Sequence, residues 1–502
     1  MSGWLLTLLF LAALLCLLLL LSYAAYVKYV HLKFDHIPGP PRDSFFLGHA
    51  PTLSKALESY RNIHDTVLQW AEEYGPIFRI NIFHRVAIYA ISPEAIKEYL
   101  MSPQCPKDPY TYNLFFYLFG KRFLGKGLIT DSDNEHWYKQ RRIMNPAFSK
   151  TYLGKVMGLF NEKAEQMMEK LEEKADGVQE VGFHAMINCV TLDVIAKVAF
   201  GMELNLLDGS QTPFPHAIAM VLKGMIHYIQ KPYMQYMPQH HKFVREVQKC
   251  TDLLRKTGKE CIQKRKQAIQ NGEDVPQDIL TKILECAEQE GDYDDDLMLD
   301  NFITFFIAGQ ETTANQLSFT VMELTRQPEI MAKLRAEVDE VVGLKRDISF
   351  DDLGKLQYVT QVLKESLRMY PPAPGTTRYL AEDAVIEGVR VPGGVPLNFS
   401  TYVMGRMDKF FKDPYTFDPE RFNPMAPKPD HCYFPFALGP RSCLGQVFSQ
   451  MEAKVVLAKL LQRFEFSLVS GQSYEIMDMG TLRPRDGVVC TVKPRAGAAR
   501  EE

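Results

Sequence analysis

From Met1 to Val27 the chain carries no charged residue, and Trp4 to Leu21 is almost wholly apolar. About twenty apolar residues is the length at which a helix crosses a bilayer. Residues 1–30 are therefore expected to form an N-terminal transmembrane anchor. A cleaved signal peptide is the competing reading, with Ser22-Tyr23-Ala24 as a passable cleavage site. The absence of a basic flank before the apolar run, and the length of that run, weigh against it. Lys28, His31 and Lys33 follow the span, and positive charge stays cytoplasmic, so the rest of the chain is expected on the cytosolic side. Ile37-Pro38-Gly39-Pro40-Pro41 comes next, where prolines stop a helix and stiffen a connector. Residues 31–45 are read as a proline-rich hinge and 46–502 as the main domain.

That domain has no repeat and no low-complexity linker. The chain of 502 residues, 46% apolar and 24% charged, has ample material for a large core. A formal net charge of -4 gives no basic footprint for nucleic acid. Nine cysteines lie without paired or zinc-type spacing, as expected of free thiols in a reducing compartment. Ile77 to Ile82 and Val86 to Tyr89 read as paired strands, with a second β region around Ala384 to Pro396. Asn161 to Lys174, Gln248 to Gln270 and Pro328 to Val342 read as exposed amphipathic helices. Asn271 to Asp274 and Glu290 to Asp292 read as turns. The class is mainly α with small β-sheets (α+β). Two stretches, Tyr110 to Phe119 and Ala217 to Ile229, are unusually apolar. They are read either as pocket lining or as packing or membrane-dipping surface.

Four constellations carry chemistry. In Phe436-Ala437-Leu438-Gly439-Pro440-Arg441-Ser442-Cys443-Leu444-Gly445, glycines flank one cysteine and an arginine stands two before it. Glycines bring backbone N–H groups near the sulfur, and a cation favours the thiolate that binds metal. Within Asn301 to Thr313, Ala308 and Gly309 would let a flat group lie against the helix. Thr312 is placed to hydrogen-bond the carbonyl of Ala308, with Glu311 beside it. Glu365 and Arg368 share a helix face at i, i+3. Trp137 and Arg141 share one at i, i+4, and both only donate hydrogen bonds, which suits an anion.

The loop meets F-x-x-G-x-R-x-C-x-G at every fixed position, a coincidence on the order of one in ten thousand. It resembles the haem-ligand loop of the cytochromes P-450, the haem-thiolate monooxygenases. The resemblance implies the cytochrome P-450 fold, haem b (iron protoporphyrin IX) as cofactor and Cys443 as axial iron ligand. It implies Glu311 and Thr312 as the catalytic acid–alcohol pair. It places Trp137, Arg141, Ala308, Gly309, Arg378, Phe436, Arg441 and Gly445 against the cofactor. Glu365, Arg368 and Arg421, the last in Phe417-Asp418-Pro419-Glu420-Arg421-Phe422, become a structural ion cluster. One cofactor touching residues from 137 to 445 requires one fold, which overrides a length-based count of about three domains.

The anchor and proline-rich segment are similar to microsomal members, implying a single-pass protein of the endoplasmic reticulum membrane. No G-x-G-x-x-G or P-loop is present, so electrons are expected from NADPH–cytochrome P-450 reductase, with O2 as co-substrate. Lys139, Arg142 and Lys454 are expected to meet that partner. Within the family, Asn301 to Gly309, Tyr402 to Asp408 and Tyr433 to Phe436 are similar to vertebrate enzymes that hydroxylate the cholesterol side chain at C24. A sterol or related lipid is the expected substrate, with Phe115, Phe116, Met220, Leu222 and Ala373 as pocket residues. Two other readings stay open: a haem-thiolate isomerase or dehydratase needing no O2, and a non-catalytic haem- or sterol-binding membrane protein.

Overall fold

A computed structural model describes residues 2–58, 62–291, 294–427 and 430–496. The charge-free segment forms α1 (Ser2–Phe34), long and apolar enough to cross a membrane, with its apolar side chains exposed from Trp4 to Leu21. It overruns the expected anchor boundary by four residues, because nothing before Pro38 breaks a helix. Val27, Val30 and Phe34 are buried, so the end of α1 packs on the main domain. The proline segment is docked as well. The Arg79 N–H donates to the Pro38 carbonyl at 2.8 Å, and a Cβ on Gly39 would fall 2.6 Å from the Arg79 carbonyl oxygen.

Eleven further helices of eleven residues or more are described. They are α2 (Ile63–Tyr74), α3 (Asn134–Met144), α4 (Met157–Glu172), α5 (Phe183–Phe200), α6 (Phe214–Gln230), α7 (His241–Gln270), α8 (Ile279–Glu290), α9 (Asp295–Leu324), α10 (Pro328–Val341), α11 (Gln357–Met369) and α12 (Gln446–Arg463). The largest sheet runs β1-β2-β4-β3, with β1 (Ile77–Ile82), β2 (Arg85–Ala90), β3 (Gly375–Leu380) and β4 (Val395–Ser400). β2 and β4 pair in parallel, and the outer pairs are antiparallel. A small hairpin joins β5 (Ile476–Asp478) to β6 (Leu482–Pro484).

The mainly-α class with small sheets holds. Helix α9 is buried along most of its length and forms the axis of the larger apolar core. A smaller core lies under the main sheet. Helix α5 is apolar enough to span a membrane but is a core helix, two-thirds buried (67%). Helix α4 departs from the expected exposed surface. Phe160, Ala164, Met167, Met168 and Leu171 enter the core, and Lys163 and Glu165 are buried with them. Glu165 is tolerated there because Lys459 (3.0 Å) and Arg463 (2.7 Å) of α12 reach its carboxylate. Gly272 and Gly291 take the left-handed conformation expected of the two turns, whereas Asp292 lies outside the described residues.

Candidate active site

The cysteine loop is held by its own backbone. The Cys443 N–H donates to the Phe436 carbonyl at 2.8 Å and the Ser442 N–H to that of Gly439 at 3.0 Å. Ala437 (φ 54) and Gly439 (φ 71) make the turn. At Gly439 glycine is required, since a Cβ would lie 2.2 Å from the Leu100 carbonyl oxygen. Gly445 then opens α12, its backbone N–H hydrogen-bonding the Cys443 sulfur. The thiol is accessible yet surrounded by protein, so it faces an internal cleft. Burial raises its pKa, and the Gly445 amide, Arg141 and Lys107 oppose that rise. Such a thiol becomes a thiolate when a metal takes it.

Cations gather along one side of this cleft. Arg141 on α3 donates to the Ser442 carbonyl at 2.8 Å, tying α3 to the loop. Arg441 lies 3.9 Å from the Trp137 ring centroid and donates to the Asp131 carbonyl and the Asn134 side chain, both at 2.8 Å. Arg378 on β3 is 1% exposed; its Nη1 reaches Thr376 and the Thr377 carbonyl, but its Nε and Nη2 have no partner among the described residues. Burial lowers its pKa. Lys107, not expected from the sequence, completes the group. It is buried, donates to the Ile129 carbonyl at 2.8 Å and sits 4.2 Å from the Tyr112 ring. Burial pushes its pKa down to about 8, and Arg378 and Arg441 add to the fall while Tyr112 opposes it. Buried cations with unmet N–H groups are costly unless an anion meets them. A haem, with two propionates beside its metal, fits this donor set and the Cys443 thiol. No motif flags Lys107, and Tyr112 registers in the sequence only as one more aromatic.

On α9 the Thr312 hydroxyl donates to the Ala308 carbonyl at 2.8 Å, as its spacing predicts. Glu311 beside it is buried. It accepts from Thr481 Oγ1 at 3.1 Å and lies 3.5 Å from the Asn315 amide, which in turn lies near His184 (2.9 Å). Thr481, in the β5–β6 turn, is a site residue the sequence did not mark. Gly309 also lies at a close helix contact. A Cβ there would lie 2.8 Å from Ile195, so its missing side chain is what lets α5 pack against α9.

Glu365 and Arg368 form a fully buried two-bond pair, both contacts at 2.7 Å. Arg368 also donates to the carbonyls of Gly405 (2.5 Å), Pro414 (2.8 Å) and Thr416 (3.3 Å). Arg421 approaches Glu365 at 3.4 Å, and the Asp418 N–H donates to it at 2.8 Å. This cluster clamps the segment leading to the cysteine loop.

The expected pocket residues separate. Leu222 is buried in the main core, with Phe115 and Met220 packed against it. Phe116 lies against Tyr117 (4.6 Å) with Arg122 over its ring (5.4 Å), and Ala373 is exposed. Instead Met225 and Ile226 of α6 meet the Gly480 turn next to Thr481. Of the expected docking cations, Lys139 and Arg142 are exposed. Lys454 is not free: it donates to the Leu353 carbonyl at 2.8 Å, and burial lowers its pKa to about 8.

The family model for Cytochrome P450 matches residues 38–494. The chain is 29% identical to Cytochrome P450 4d2 of Drosophila melanogaster, over 92% of this chain and 94% of that one. It is 28% identical to human Cytochrome P450 4B1, over 93% and 94%. It is 31% identical to the 11-oxo-beta-amyrin 30-oxidase of Glycyrrhiza uralensis, over 73% and 72%. These likenesses support the family and its group 4 members. They give the narrower likeness to sterol 24-hydroxylases no support.

Proposed function

The chain belongs to the cytochrome P450 family, and from that premise we propose that it is a membrane-anchored haem-thiolate monooxygenase that hydroxylates an apolar lipid. The carrying observation is the joint placement of the Cys443 thiol, its Gly445 amide and the unpartnered N–H groups of Arg378 around one cleft. Cys443 would ligate the haem iron, while Arg378, Lys107, Arg141, Arg441 and Trp137 would hold the propionate side. Bound there, haem supplies the activation of dioxygen. The protein's part is to fix the thiolate, keep water out and manage protons. The Thr312 hydroxyl donates a hydrogen bond to the Ala308 carbonyl, which leaves its lone pairs for a proton donor. Glu311, Thr481, Asn315 and His184 form a polar chain that can hold a proton close by.

The finer reading is a sterol, with the cholesterol side chain at C24 as the target bond. It rests on Asn301 to Gly309, Tyr402 to Asp408 and Tyr433 to Phe436 alone. One relative is by name an oxidase of 11-oxo-beta-amyrin. The others carry no substrate in their names, so a fatty acid or other lipid stands beside the sterol. The anchor and flanking charges support the endoplasmic reticulum membrane with a cytosolic domain, and the missing nucleotide motifs support NADPH–cytochrome P-450 reductase as electron donor. The test is the carbon monoxide difference spectrum of the reduced protein and of Cys443→Ala. A red-shifted thiolate band that the substitution abolishes is expected, and the same band in both would overturn the assignment. Cholesterol and long-chain fatty acids, compared by NADPH-dependent product, then decide the substrate class.

A further inference from the structure

A second set of metal-ligating side chains lies away from the cysteine loop. Helix α6 carries His216 in its first turn, and α7 carries Glu246 and Cys250 one helical turn apart. The His216 Nε2 stands 3.3 Å from a Glu246 carboxylate oxygen, and the three candidate ligand atoms lie within 4.8 Å of one another. Tetrahedral zinc, with N and O at about 2.0–2.1 Å and S at about 2.3 Å, holds its ligand atoms roughly 3.3–3.6 Å apart. The imidazole and carboxylate already have that separation, and the sulfur comes into range by a movement of about an ångström. The helix spacing does not depend on an ion: Gly224 of α6 lies so close to Val247 of α7 that a Cβ would fall 2.6 Å from a valine methyl. The ligands are thus presented by two helices already packed together.

We propose that His216, Glu246 and Cys250 bind one divalent ion of the zinc class, with water as fourth ligand, tying α6 to α7. One imidazole, one carboxylate and one thiolate suit a borderline metal and not calcium or magnesium, which take oxygen. Cys250 is buried and forms the floor, while exposed His216 and half-buried Glu246 leave an open path for entry. On binding, the Cys250 thiol releases its proton to solvent and the S–Zn bond replaces S–H. Burial and, less, the neighbouring Glu246 raise that thiol's pKa, with Lys249 opposing. Met225 and Ile226 of the same helix touch the Gly480 turn, so the ion would stiffen the helix pair beside Thr481.

The test uses the full-length, haem-loaded, thiol-reduced protein titrated with Zn2+ against a chelator of known affinity. One equivalent is expected. Zinc-edge X-ray absorption should show one sulfur at about 2.3 Å and N/O ligands at about 2.0 Å. Cys250→Ser should remove the sulfur shell. His216→Gln and Glu246→Gln, both on the surface, should each weaken binding by about tenfold or more, a loss that even outer partners of metal sites produce. Cys261→Ser, on the same helix, should change nothing. Absence of a stoichiometric site, or affinity that all three ligand substitutions leave intact, overturns the proposal.

Discussion

Replacing Arg378 by methionine tests whether the cleft is built around an anion. The guanidinium is 1% exposed, and two of its N–H-bearing nitrogens, Nε and Nη2, lack a partner among the described residues. A hydrogen bond to a charged group contributes about 1.5–3 kcal/mol, so two toward a haem carboxylate are worth about 3–6 kcal/mol. Methionine fills similar volume without donating, and the neighbouring cations Lys107 and Arg441 keep part of the attraction for the carboxylates, which offsets part of that loss. The net weakening of haem binding should be about 2–4 kcal/mol, roughly 30- to 700-fold in affinity. Transfer of haem to excess apomyoglobin reads this directly as a faster loss of the haem band. Arg441→Met is the informative comparison. Arg441 already has Asp131, Asn134 and the Trp137 ring as partners, so its loss should also lower the stability of the cysteine loop. If Arg378→Met holds haem as long as the parent protein, no anion meets that guanidinium and the donor set has been misread.

Arg368→Lys leaves at most three donors for five acceptor contacts. Two unmet buried acceptors at about 1–3 kcal/mol each predict a loss of about 2–6 kcal/mol in urea unfolding, and an unchanged midpoint would remove the clamp role. Asp193 is buried, and burial raises its pKa to about 6 against the Leu206 N–H, which lowers it. Below the ordinary carboxylate range both states hold the proton. From about 4 to about 6 only the unfolded chain gives it up, so stability falls as pH rises through that window and stays lower above it. Asp193→Asn should flatten the window and gain about 1–3 kcal/mol at neutral pH; a pH profile still sloping as in the parent would refute it. Thr312→Ala should divert NADPH-derived electrons to hydrogen peroxide, seen as less product per NADPH, and unchanged coupling would end the proton-handling role.

Much of this site was legible because its residues sit close in sequence and each spacing has one geometric meaning. Cys443 with Gly445, Thr312 with Ala308, and Glu365 with Arg368 lie two to four residues apart, and all three pairs meet as expected. Family resemblance carried the longer links, such as Arg421 to Glu365. What failed to show were contacts made across the fold by residues of ordinary type. Lys107 looks like any surface lysine until β3 and the cysteine loop close around it. Thr481 is marked only by a neighbouring glycine turn. Leu222 and Met225 share one apolar stripe of α6, and only packing decides that Leu222 is core while Met225 meets Gly480.

The glycines give the same lesson from the opposite direction. Gly439 and Gly309 both lie in segments marked for cofactor chemistry, yet in each case protein is what forbids a Cβ: the Leu100 carbonyl for one, the Ile195 side chain for the other. A glycine in such a motif therefore first reports how closely two protein segments approach. Substituting Gly309 forces the Ile195 side chain to move at the α5–α9 contact, next to the Thr312 hydroxyl and the Ala308 carbonyl. Loss of function there would follow from shifted packing between helices, even with every group on the cofactor side intact.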